Sequence, residues 1–116
     1  MKFLTALLAT LALSVTQPAY AQVYTEREVN YLTVMEQAFQ GEVPSIHIQE
    51  TLPYAHGVCD ALRKGASEEQ VIRATVVGLT GDVQAGRLSV TDAEYTGFIL
   101  GAAIEGAQEV LCPDVR

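Results

Sequence analysis

Basic residues are scarce in this chain of 116 residues: seven Lys and Arg stand against fourteen Asp and Glu, a formal charge of −7. Such a surface repels phosphate backbones and anionic lipid headgroups, so nucleic-acid and membrane-surface roles are disfavoured. The acids occur singly or in pairs with no run of five or more, so they do not mark an acidic disordered tail. Cysteine is nearly absent, with only Cys59 and Cys112. There is no C-x-x-C redox pair, C-x-x-C-H haem site, G-x-S-x-G elbow or glycine-rich phosphate loop. No apolar run reaches the roughly 20 residues that a bilayer span needs.

What is present begins with a leader. Lys2 supplies a short positive region, Phe3 to Leu13 is almost wholly apolar, and Ala19-Tyr20-Ala21 has the form of an A-x-A cleavage site. Residues 1–21 are therefore expected to be a cleaved signal peptide, with the cut between Ala21 and Gln22 and an uncleaved anchor as the alternative. The residue immediately after the cut is Gln22, not cysteine, which argues against a lipid anchor. Export places residues 22–116, a single domain, outside the cytoplasm: secreted, periplasmic or in the cell envelope. Without Lys2 the balance is six basic to fourteen acidic residues, a charge of −8. An oxidising compartment and two cysteines allow one disulfide connectivity, Cys59–Cys112. A closed loop of that length is worth roughly 4 kcal/mol in the chain-entropy model, a large share of a small domain's stability.

The remaining pattern is helical. Thr25-Glu26-Arg27-Glu28 is a capping box, followed by Val29, Leu32, Met35 and Phe39 at helical spacing, so a first helix is expected from about Glu26 to Gln40 before Gly41. Pro44 interrupts, and Glu42 to Leu52 reads as a loop that drops Ile46 or Ile48 onto the core. Pro53 suits a first helical turn, opening a second helix with Tyr54, Val58, Cys59, Ala61 and Leu62 up to Gly65. Ser67-Glu68-Glu69-Gln70 caps a third, with Val71, Ile72, Thr75, Val76 and Leu79 as its expected inner face. Residues 79–90 read as either a further helical turn or a loop. Thr91-Asp92-Ala93-Glu94 is a third box, so the last helix is expected from about Asp92 to Leu111, before Pro113. With no convincing strand pair, the fold class is all-α: a small bundle of about four helices stapled by one disulfide.

Gly57-Val58-Cys59-Asp60-Ala61-Leu62, the Gly65-Ala66-Ser67 turn with a valine-rich helix after it, and the closing Leu111-Cys112-Pro113 together resemble the DUF732 family of small secreted actinobacterial proteins. The likeness runs from about Tyr31 to Pro113, and the stretch from Gly78 to Thr91 is longer than the family's usual pattern. The resemblance implies an exported helical domain with a disulfide at Cys59 and Cys112. It implies no activity.

Several constellations invite a chemical reading. Cys59 and Cys112 with His56 and His47 could ligate a metal, but the tight paired spacings of structural zinc sites are missing. A Cys59–His56 nucleophile pair would need a free thiolate and an orienting third group that nothing marks. Glu68/Glu69 and Asp92/Glu94 fall in expected first helical turns, where carboxylates suit the helix N-terminus. No catalytic, cofactor-binding or metal-binding residue is therefore assigned. Gly97, Gly101 and Gly106 with Ala102, Ala103 and Ala107 form a small-residue face, read as close helix packing, perhaps on the Cys59 helix, with a homodimer seam as the alternative. Tyr24, Tyr31, Tyr54 and Tyr95 suit core edges or recognition surfaces. The Glu42–Leu52 loop is the best place for a partner contact. The expected role is non-catalytic binding of an unidentified protein or envelope partner. An acid-stress chaperone is the runner-up: protonating fourteen acids would leave a net positive chain.

Overall fold

The computed structural model describes residues 23–115, so the leader and its cleavage site lie outside the described residues. Helix α1 spans Glu26–Phe39. It starts where the sequence places it: the Thr25 hydroxyl accepts from the Glu28 N–H (3.2 Å), and the Glu28 carboxylate accepts from the Thr25 N–H (2.8 Å). Its apolar stripe buries Tyr31, Leu32, Met35 and Phe39. Gln40 and Gly41 both take left-handed backbone (φ 51° and 82°) and turn the chain away.

The expected loop is instead a short helix, α2, over Ser45–Glu50. Pro44 occupies its N-cap, where a missing N–H is harmless, so a residue that bars helix continuation before it can open a helix after it. Ile48 is the isoleucine that drops into the core, while Ile46 stays exposed. Helix α3, Leu52–Arg63, follows after the single residue Thr51, with Pro53 in its first turn and Gly65 (φ 103°) beyond its end.

Helix α4, Glu68–Gln84, opens with the Ser67/Gln70 capping box and runs through the stretch that the sequence left open, stopping at Ala85 and Gly86. Helix α5, Val90–Gly106, starts two residues earlier than expected: Ser89, not Thr91, is its N-cap and accepts from the Asp92 N–H (3.0 Å). Both residues fit the capping pattern, and the earlier start adds two residues to the helix. The last helix is not α-helical to Leu111. Residues Ala107–Leu111 widen into a π-helical turn, and Pro113–Val115 form a 3-10 turn.

Four helices of twelve residues or more, the short α2 and no strand among the described residues make an all-α bundle. Helices α1, α3 and α5 and the π-helical turn surround a core of Tyr31, Leu32, Met35, Ile48, Cys59 and Cys112. Cys59 and Cys112 are joined by a disulfide within this core, so the staple ties α3 to the end of the chain. Helix α4 packs mainly along α5, and the two extend the molecule to 54 × 31 × 21 Å. None of residues 72–98 is buried. Of the expected inner face of α4 only Val71 is buried; Ile72 and Val76 are exposed, as are Tyr95 and Phe98 on α5.

The last helix packs on α3, as expected of its small-residue face, and that face also admits close neighbours from α4 and α1. A Cβ at Gly97 would meet Leu79 of α4 at 3.4 Å, and one at Gly106 would meet the Tyr31 ring of α1 at 3.3 Å. Gly101 has nothing within 4 Å.

Candidate functional site

The residues first considered for chemistry do not converge. Cys59 and Cys112 are bonded to each other, so neither offers a thiolate. His56 faces away from them to the surface, its Nε2 2.7 Å from the Glu28 carboxylate, and joins α3 to the start of α1. The Thr25 backbone N–H, then the His56 contact, hold the Glu28 carboxyl below its ordinary pKa. Asp114 does similar bracing at the other end, with oxygens 3.6 Å from both Arg27 and Arg63. Its own backbone N–H and then Arg63 hold its pKa down. Glu69 pairs with Arg73 (3.1 Å), and Glu68 accepts from Gln108 (3.1 Å). Among the described residues no group of three or more His, Cys, Asp or Glu is arranged to hold a metal.

His47 does lie in a concave place. Between α2, α3 and α5 is a cleft of about 300 Å³, open to solvent. Helix α2 and the residue after it supply His47, Glu50 and Thr51; α3 supplies Tyr54. Helix α5 supplies Tyr95 and Thr96 at the rim and Ile99 and Leu100 as apolar wall. The one-residue link at Thr51 creates this place: it holds two successive helices end to end, and α5 crosses beside the joint.

Two tyrosine–threonine relays fix the α3 side. The Thr51 hydroxyl donates to the Ile48 carbonyl (2.6 Å), so the buried Tyr31 hydroxyl must be the donor in its 2.6 Å bond to Thr51. Burial pushes the Tyr31 pKa up to about 12, against the lowering effect of the Thr51 bond. The second relay repeats the first: Thr75 donates to the Val71 carbonyl (3.0 Å), and Tyr54 donates to Thr75 (2.5 Å). The Tyr54 and Thr51 protons are thus already committed away from the cleft. On the far rim His47 Nδ1 and the Tyr95 hydroxyl stand 3.5 Å apart, their rings edge to face. The Glu50 carboxylate has no ion-pair or hydrogen-bond partner among the described residues.

The segment singled out in the sequence contributes His47, Glu50 and Thr51, and two of the singled-out tyrosines, Tyr54 and Tyr95, complete the aromatic part. Thr96 carried no sequence signal, and Glu50 and Thr51 were marked only as part of their segment, because their meeting depends on α5 arriving from more than forty residues away. No helix among the described residues is long and apolar enough to cross a membrane.

A family model described as a protein of unknown function, DUF732, matches residues 27–114. No curated protein and no solved structure matches the chain.

Proposed function

Since the chain belongs to the DUF732 family, a family of unknown function, its role has to be read from its own surface, and we propose that it is an exported, non-catalytic binding domain whose ligand seats in the α2–α3–α5 cleft. The observation that carries this reading is the cleft itself: about 300 Å³ with Ile99 and Leu100 as apolar wall and a rim of Tyr54, Tyr95, His47 and Glu50. A concave apolar surface with a few placed polar groups is the usual form of a ligand site. Among the described residues no nucleophile, base and orienting group stand in mutual contact at the rim: both sulfurs are bonded, and the His47 ring is paired with the Tyr95 hydroxyl. Export rests on the leader pattern of residues 1–21, and the division into leader and residues 22–116 rests on the same pattern.

Two measurements test the reading. The mass of the secreted protein should begin at Gln22, with thiols alkylated only after reduction; a retained leader would overturn export. A fragment screen by amide NMR on the isotope-labelled protein should move signals of His47, Glu50, Thr51, Tyr95, Thr96 and Ile99. Responses only elsewhere would remove the cleft from consideration.

The acid-stress chaperone reading draws on a different observation, the exposed Ile72, Val76 and Phe98 of the α4–α5 hairpin. Unchanged aggregation of a test client at pH 2–3 would dismiss it.

A further inference from the structure

We propose that the cleft takes an organic cation, an ammonium or guanidinium group with an apolar body. The inference rests on the cleft being the binding site and adds the chemistry of its occupant.

Charge gives the first argument. Among the described residues no Lys or Arg lines the cleft, and Glu50 stands at its rim without a partner. Arg27, Arg63, Arg73 and Arg87 are each engaged with a carboxylate elsewhere. An anion entering here would meet the exposed, unpaired Glu50 carboxylate and, apart from the His47 ring, no basic side chain among the described residues, whereas a cation finds a counter-charge. The chain's charge of −7 acts in the same direction over longer range.

Hydrogen-bond capacity gives the second. The Tyr54 and Thr51 hydroxyl protons are already donated to Thr75 and to Ile48. What these groups can still offer a ligand is mainly lone pairs, and the Glu50 carboxylate accepts only. These oxygens favour a ligand that brings N–H donors, while Tyr95, Thr96 and His47 can adapt as donors or acceptors. The rings of Tyr54 and Tyr95 add faces that attract cations rather than anions. Ile99 and Leu100 leave an apolar wall for the rest of the molecule.

The test uses three probes of similar shape on the disulfide-bonded protein: phenethylammonium, 2-phenylethanol and phenylacetate, titrated by amide NMR. Phenethylammonium should bind about fivefold tighter than the alcohol, the scale of one solvent-exposed ion pair, and phenylacetate should bind weakest. Glu50→Gln should bring the ammonium to the level of the alcohol and leave the alcohol's affinity unchanged. Added salt should weaken the ammonium alone. If the alcohol or phenylacetate binds the cleft as tightly as the ammonium, the cation assignment falls while the cleft stands. If the ammonium keeps its advantage in Glu50→Gln, the preference belongs to the acidic surface as a whole and the assignment also falls. If no probe moves a cleft signal, both the assignment and the cleft reading fall together.

Discussion

The relay from Tyr31 through Thr51 to the Ile48 carbonyl makes a quantitative prediction, because every proton in it is accounted for. Tyr31 is fully buried and Thr51 is 6% exposed, so neither hydroxyl has water as a substitute. Tyr31→Phe deletes the first donor but leaves Thr51 bonded to Ile48, and should cost about 1 kcal/mol, the net worth of one hydrogen bond. Thr51→Val keeps the shape but strands the buried Tyr31 hydroxyl, a loss of about 1–3 kcal/mol. The Ile48 carbonyl stays satisfied by the Thr51 N–H at 3.0 Å. In the double variant nothing is stranded, so its loss should fall below the sum of the singles, by roughly 1 kcal/mol or more of coupling. Urea unfolding followed by circular dichroism supplies the cycle. An alkaline series then tests the burial directly. Tyr31 ionises at about 12 when folded, against an ordinary value of 10.0. Between those values the unfolded chain has released its proton and the folded one has not, so stability falls as pH rises. Two units correspond to about 2.7 kcal/mol, present below pH 10 and gone near pH 12. Wild type should therefore lose more stability than Tyr31→Phe across that window by about this amount, which cancels the background from the other tyrosines. Parallel pH slopes, or an additive cycle at neutral pH, would refute the account of a buried relay.

Replacing Cys59 and Cys112 together by Ser should lower stability by about 4 kcal/mol, given their separation of 53 residues, and reductant should lower the wild type's urea midpoint in the same direction. Two glycines five residues apart on α5 should respond with opposite signs. Gly106→Ala drives a methyl to 3.3 Å from a Tyr31 ring that its own hydrogen bond pins, so thermal unfolding should shift down. Gly101→Ala meets nothing within 4 Å and should gain up to about 1 kcal/mol. Glu28, held below its ordinary 4.5 by the Thr25 N–H and by His56, contributes stability above that pH that is lost as pH falls through its folded value. Glu28→Gln retains a capping side chain and should flatten the acid limb of a pH–stability curve, with a neutral-pH effect below about 1 kcal/mol; an unchanged acid limb would count against the pair.

Local rules carried the sequence a long way here, and failed where geometry became non-local. The Thr25 and Ser67 boxes set the starts of α1 and α4 because a side chain three residues from its partner needs no tertiary context. Pro44 signals a stop in the sequence, although its absent N–H also makes it an admissible start, and the pattern alone does not reveal the helix Ser45–Glu50 for that reason. Ser89 and Thr91 both fit a cap, and spacing alone does not rank them. The stripe Val71, Ile72, Val76, Leu79 shows that α4 has an apolar face; it does not say that another helix covers it, and Ile72 and Val76 are uncovered. The π-helical turn has no sequence mark at all. The extra residue per turn lies immediately before Cys112, where the chain is tied to Cys59. The cleft was only half legible, since its α2 side is one continuous segment and its α5 side is not.

The disulfide also has a topological effect. Residues 59–112 form a covalent ring, and α4, the exposed turn at 85–89 and the whole of α5 lie on its circumference. A protease that nicks this ring at Arg87 opens the backbone without releasing either piece. The two fragments stay one molecule, with the bond buried where the protease cannot follow. In an environment rich in peptidases, the least buried part of the chain is thus the part it can best tolerate having cut.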